Sequence, residues 1–149
     1  MSDLKVNKKV HLNYQTLETF EAGIVLTGAE VKSAKAGLLD LAGAQVAIDS
    51  RSQVWLKGLK IAHYPKAGWS PSAYTPDRPR RLLLHKKEVL KLRSQLDTAG
   101  LTIVPILVYT TRSLVKVKIA LVRGKRKYDK RQTIREKEFR RRLNSQVRR

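Results

Sequence analysis

The stretch Glu18–Gly37, ETFEAGIVLTGAEVKSAKAG, constrains the chain more than any other. Its first half, Leu17–Leu26, roughly alternates apolar and polar residues, as a strand does. Gly23 interrupts the alternation and predicts either a β-bulge or a close backbone approach. Thr27-Gly28 marks a turn. Ala29–Ala36 then reads as a short helix, with Gly37 placed to end it in a left-handed conformation. Strand, turn, helix and glycine stop follow so closely that the flanking chain has few ways to continue.

The flanks read mostly as short strands. Gln45–Asp49 (Val46 and Ile48 on one face) and Gln53–Lys57 (Val54 and Leu56) predict a hairpin around Asp49–Ser52, and Leu59–Ile61 is a third strand piece. Lys86–Leu96 is a helix with Val89, Leu92 and Leu96 along one stripe, closed by Gly100. Leu101–Tyr109 follows as a buried strand in which Pro105 calls for an edge or a bulge. Leu114–Val122 is the plainest strand: Val115, Val117, Ile119 and Leu121 face one way, and Lys116 and Lys118 the other, along with Ala120 and Val122. The expected fold is mainly β, a small closed or nearly closed antiparallel barrel with a few short helices.

Charge divides the chain differently. The 149 residues carry a net charge of +20. The 27 residues Arg123–Arg149 hold 13 lysines and arginines against 3 acids, so half of the excess lies in the last fifth. A hydrophobic content of 42% excludes a simple disordered polycation. The expected organisation is a globular domain over residues 1–122 and a basic tail over 123–149. Such a balance implies a densely negative partner, nucleic acid before an anionic membrane. The absence of cysteine fits a reducing cytosol. No apolar run approaches a signal peptide or a membrane span, so a cytoplasmic protein is expected.

Two segments admit more than one reading. Met1–Val10, with Asn7-Lys8-Lys9, suits a solvated terminus or an RNA contact. His63–Arg80 holds four of the five prolines beside Tyr64, Trp69 and Tyr74. Its aromatics, interleaved with Arg78, Arg80 and Arg81, suit base stacking; equally, Tyr64 and Trp69 suit a lid folded back on the barrel. In the tail, Lys125-Arg126-Lys127 repels itself. Beyond it, Asp129 suits a helix cap with Gln132 at the third position. Glu136→Arg140 and Glu138→Arg142 are i,i+4 pairs, and Phe139, Leu143 and Val147 make a narrow stripe. These pairs contribute about 0.2–0.5 kcal/mol each, too little to hold an isolated helix. The tail is expected to be disordered when free and helical when bound.

Catalytic patterns are missing. His11, His63 and His85 are far apart with no cysteine partner, so no metal site is expected. Arg123-Gly124-Lys125 lacks the second glycine and the Ser/Thr of a phosphate loop. The nine acids of the globular part are scattered rather than clustered for metal-dependent hydrolysis. No nucleophile elbow is present. Neither an enzyme nor a cofactor is expected.

Three separated strings, Phe20–Ser33 (FEAGIVLTGAEVKS), Arg81–Lys86 (RLLLHK) and Arg123–Arg131 (RGKRKYDKR), in this order and spacing resemble the SsrA-binding protein (SmpB) family, the protein partners of transfer-messenger RNA. The resemblance spans essentially the whole chain. Two departures are visible: Ala34-Lys35 where Leu-Arg is usual, and Val122 where Ala is common. What it implies is an OB-type barrel and an RNA-binding adaptor of trans-translation. Such a protein binds the tRNA-like domain of transfer-messenger RNA and, with elongation factor Tu, accompanies the alanyl form to stalled 70S ribosomes. There the nascent peptide is tagged and the ribosome rescued. The implied RNA-binding residues are Asn7, Lys8, Lys9, Glu21, Leu83 and Lys116. Lysines suit phosphates, and Glu21 can accept from a base amino group or, on residue type alone, form a surface ion pair. Leu83 would otherwise pass as core. The tail residues Gly124, Lys125, Arg126, Tyr128, Asp129, Lys130 and Arg131 are implied at the 16S rRNA decoding centre and in the vacant mRNA channel. A structural ribosomal protein or a general RNA chaperone is the alternative on charge grounds.

Overall fold

The structure is a computed structural model that describes residues 2–64, 74–98, 100–124 and 127–147, with the side chains of residues 11, 12, 127–130, 132, 133 and 144–147 left aside. Pro65, Trp69, Pro71, Lys125 and Arg126 lie outside the described residues. In chain order the elements are β1 (Ser2–Val6), α1 (Val10–Asn13), β2 (Tyr14–Ile24), α2 (Gly28–Lys35), β3 (Leu39–Asp40), β4 (Gln45–Ile48), β5 (Val54–Lys57), β6 (Lys60–Ile61), β7 (Arg80–Leu83), α3 (Lys86–Leu96), β8 (Leu101–Thr111), β9 (Leu114–Gly124) and α4 (Lys127–Val147).

The pairings run β8-β4-β5-β7-β2-β9 and return to β8, which closes a ring; β1 adds to the outside edge of β8. Every pairing in the ring is antiparallel. The alternation in β9 decides what faces inward. Val115, Val117, Ile119 and Leu121 join Phe20, Ala22, Val46, Val54, Leu56, Leu82, Ile103 and Val108 in the barrel core, where α3 contributes Val89 and Leu92. The opposite face of β9 is not uniformly wet: Ala120 and Val122 are buried with Val10 and Val104 in a second, smaller cluster. Lys116 and Lys118 remain half-exposed on that face.

Several local expectations are met and several are corrected. The hairpin forms with Asp49 at its corner, where Oδ1 accepts from the amides of Arg51 and Gln53 at 2.9 Å each. Gly37 takes φ +78° after α2. Pro105 does mark a bulge: the β8–β9 register shifts between Pro105 and Leu107. Gly23 carries no bulge, because it pairs in register with Lys116 on one side and Leu83 on the other. The bulge in β2 falls instead between Thr16 and Glu18. Ser2–Val6 is an edge strand paired to β8 rather than a loose terminus; the hydrogen bonds that β8 offers decide this, and five residues alone could not. α4 begins at Lys127, so Asp129 lies in its first turn instead of capping it. An acid is electrostatically favoured there too. The described side chains of this helix are exposed.

Candidate nucleic-acid interface

The scaffold of the site is a buried charge cluster. Thr27 and Glu30 form a capping box at the start of α2: Thr27 Oγ1 accepts from the Glu30 amide at 3.2 Å, and Glu30 Oε1 accepts from the Thr27 amide at 3.0 Å. The Glu30 carboxylate also receives Arg80, whose Nε and Nη2 donate to Oε2 at 2.9 and 2.6 Å. Arg78 donates to both oxygens of the same carboxylate, and the Tyr74 hydroxyl donates to Oε2 at 3.2 Å. Arg80 directs its remaining donors to the carbonyls of Leu59, Pro76 and Arg78. Glu30 and Arg80 are 1% and 0% exposed. Burial alone would raise the Glu30 pKa, but hydrogen bonds from Arg78, the Thr27 amide and Arg80, with the Arg80 charge, outweigh it and hold the carboxyl at about 2. Ser33, also buried, adds a second pin through Oγ to the Ala62 carbonyl at 2.8 Å. In the string Ala29–Ser33, then, Glu30 and Ser33 are the polar fasteners of α2.

This cluster corrects the base-stacking expectation at Arg80. Arg80 is buried on Glu30 and cannot meet a ligand, whereas Arg78 and Tyr74 bond to Glu30 while staying partly exposed, Arg81 is exposed, and Trp69 lies outside the described residues. It also sets the parity of β7. With Arg80 turned inward onto Glu30, Leu82 enters the core and Leu83 points out, 52% exposed.

That parity builds a groove. Leu83, Gly23 and Lys116 stand in one row across β7, β2 and β9. The missing side chain of Gly23 leaves the row open in the middle; a Cβ there would lie 3.5 Å from Leu83 Cβ. The resulting groove, about 270 Å³, is lined by Glu21, Gly23, Leu83, His85, Glu88 and Lys116, among others. Three sequence-predicted residues thus meet in one place although they lie far apart in the chain. Apolar surface, an acceptor carboxylate and a lysine suit an unstacked base with its phosphate. Next along the row, Tyr109 of β8 pairs with Lys116. Its hydroxyl is buried and, among the described residues, makes no hydrogen bond of ordinary geometry. Burial first, and then the nearby Glu21 carboxylate, push its pKa up.

The other predicted residues gather elsewhere. Asn7, Lys8 and Lys9 line a second depression of about 240 Å³ with Lys5, Val6, Asp40, Leu41 and Ala42. Asn7 is also part of the fold. Its backbone amide donates to the Ile106 carbonyl at 2.9 Å and its Nδ2 to the Pro105 carbonyl at 3.0 Å, which fastens the end of β1 to the β8 bulge. The structure does not place this depression and the groove in one pocket. Of the tail residues, Gly124 ends β9 and Arg131 is exposed on α4. The side chains of Tyr128, Asp129 and Lys130 fall outside the described residues. Sequence reasoning missed Glu30, Ser33, Tyr109, His85 and Glu88; the Thr27-x-x-Glu30 spacing was the one readable signal for the cluster.

A closed barrel with lysine-edged grooves on its outer strands, followed by a basic helix, defines a small barrel protein suited to holding a polyanion on its outside. Comparison with known proteins makes the class specific. The family model described as "SmpB protein" matches residues 4–149. The chain is 44% identical over 135 residues to the SsrA-binding protein of Bifidobacterium adolescentis, covering 91% of this chain and 84% of that one. It is 46% identical over 137 residues to that of Sulfurihydrogenibium sp., covering 92% and 88%. A chain of the solved structure "tmRNA-SmpB: a journey to the center of the bacterial ribosome" is 38% identical, with a TM-score of 0.68 over 88% of this chain and 94% of that one. This chain belongs to the SmpB family.

Proposed function

We propose that this chain is a nonenzymatic RNA-binding adaptor of trans-translation that binds the tRNA-like domain of transfer-messenger RNA. The relatives are named SsrA-binding proteins, and the solved neighbour is named for transfer-messenger RNA and the ribosome, which supports the RNA partner and the setting. The observation that carries the site is the convergence of Glu21, Leu83 and Lys116 on one groove. Leu83 packs against an unstacked base, Glu21 accepts from a base amino group, and Lys116 meets a phosphate; Asn7, Lys8 and Lys9 hold the backbone at the second depression. The complex is delivered in its alanyl form with elongation factor Tu. Gly124, Lys125, Arg126, Tyr128, Asp129, Lys130 and Arg131 then enter the decoding centre and vacant mRNA channel of a stalled ribosome, where Tyr128 stacks on an rRNA base. The tail helix is secured by that RNA and loosens without it, which suits an exposed helix with little packing of its own. Such a protein acts in the cytoplasm. Among the described residues no helix is long and apolar enough to cross a membrane.

Removing Gly124–Arg149 separates the two parts. The truncated chain is expected to bind a transcript of the tRNA-like domain with nearly unchanged affinity while peptide tagging in a reconstituted stalled-ribosome assay is lost. Loss of that binding would overturn the division. Recovery of mixed RNAs or rRNA alone with the protein isolated from its own cells would favour a structural ribosomal protein or general RNA chaperone.

A further inference from the structure

The cross-strand row that builds the groove does not stop at its visible rim. From Leu83, Gly23 and Lys116 it continues to Tyr109 and then to Asp3 of β1. Tyr109 is the one large aromatic in it and is 2% exposed, yet among the described residues its hydroxyl has no hydrogen-bond partner at ordinary geometry. A buried hydroxyl without a partner is costly to keep, and phenylalanine would fill the same space without that cost. Tyr109 pairs with Lys116 and Glu21 with Lys118, two positions apart on one face of β9, so phenol and carboxylate stand diagonally across that strand. There the carboxylate raises the cost of ionising the phenol, and the two are within reach of a hydrogen bond that is not yet at ordinary geometry. Glu21 itself is exposed on β2, opposite Lys118. A carboxylate on an exposed strand has several rotamers, and only some present its oxygens to the groove.

We propose that Tyr109 is a positioning residue: its hydroxyl holds the Glu21 carboxylate in the rotamer that accepts from a base amino group, an arrangement completed when RNA fills the groove. Tyr109 touches no RNA and acts through Glu21, so the proposal rests on the RNA-binding reading of this groove. In free protein the hydroxyl does little for the fold. In the complex it fixes one carboxylate oxygen and leaves the other to the base, and the closing RNA excludes the water that would compete.

The test is a double-mutant cycle on the full chain, with a transcript of the tRNA-like domain as the probe. Tyr109→Phe is expected to bind about tenfold more weakly, the factor of one hydrogen bond to a charged group, with a melting temperature equal to or above that of the unaltered protein. Glu21→Gln is expected to weaken binding at least as much. The combined variant should match Glu21→Gln alone, because Tyr109 has nothing left to hold. Unchanged affinity for Tyr109→Phe would overturn the proposal, as would losses that multiply in the combined variant or a weakened affinity that merely follows a lowered melting temperature. The unaltered protein is the control for the underlying reading: if it fails to prefer this transcript over an unrelated RNA of equal length, the RNA assignment of the groove fails, whatever the variants do.

Discussion

Replacing Glu30 by glutamine tests whether the scaffold behind the groove is held as its geometry indicates. Glu30→Gln keeps the shape and one acceptor oxygen but removes the charge that Arg78 and Arg80 share. The folded carboxyl titrates at about 2 against an ordinary 4.5. A folded value below the unfolded one means that stability from this group is complete above about pH 4.5 and is lost as pH falls toward 2. The depression corresponds to about 3 kcal/mol. An independent route gives a similar size: removing one partner of a buried ion pair strands the other and costs about 3–5 kcal/mol. Retained acceptor capacity in glutamine places the variant at the lower end of that range. Urea denaturation at pH 7 should therefore show Glu30→Gln destabilised by about 3 kcal/mol. In a series of buffers from pH 7 downward, the unaltered protein should lose its advantage below pH 4.5 and the two stabilities should converge near pH 2. A variant within about 0.5 kcal/mol of the parent at pH 7, or a gap that stays constant down to about pH 2.5, would refute the reasoning that this carboxylate is ionised and stabilising in the fold.

Four further outcomes follow from the same geometry. Gly23→Val should cost about 1 kcal/mol or less in stability, since a Cβ there meets Leu83 only at ordinary contact distance, yet it should abolish binding of the tRNA-like domain by filling the groove; retained binding would show that the RNA does not enter between Leu83 and Lys116. Lys116→Ala should weaken binding and lower the slope of log affinity against log salt by about 1, and an unchanged slope would remove Lys116 from the phosphate contacts. Gly37→Ala should cost about 1–2 kcal/mol for a left-handed residue with open space around it. Gly58→Ala should cost more in the same urea assay, because at φ +83° its Cβ would also stand 3.1 Å from the Gly43 carbonyl oxygen and 3.2 Å from Ala44 Cα; equal costs would contradict the close approach.

How far the sequence could be read depends on whether a residue's neighbours are local. Helix α3 was legible to the residue because a stripe, a stop and a following strand are all written within a few turns. The face of β9 was legible because its alternation is uninterrupted over the core half. β7 was not, and the reason is particular. In Arg80-Arg81-Leu82-Leu83 a residue-by-residue reading turns the arginines out and the leucines in, but Glu30, fifty positions upstream in the chain, neutralises Arg80 inside and so pushes Leu83 outside. Only a long-range ion pair makes that parity possible, and no period or propensity records it. The same holds for the groove. Glu21, Leu83 and Lys116 could be named together only through the family resemblance, since register between β7, β2 and β9 is what brings them to one row. Gly23 shows the consequence most directly: the sequence marks it as a break in a strand, whereas the fold uses it as the open floor between a leucine and a lysine. A buried carboxylate outside the groove's lining thus decides which leucine the groove presents, so the acid-sensitive cluster and the groove row are one construction. Glu30→Gln should for that reason weaken RNA binding even at pH 7 in whatever fraction of the protein stays folded, and undiminished affinity of the folded fraction would show that β7 keeps its parity without the charge.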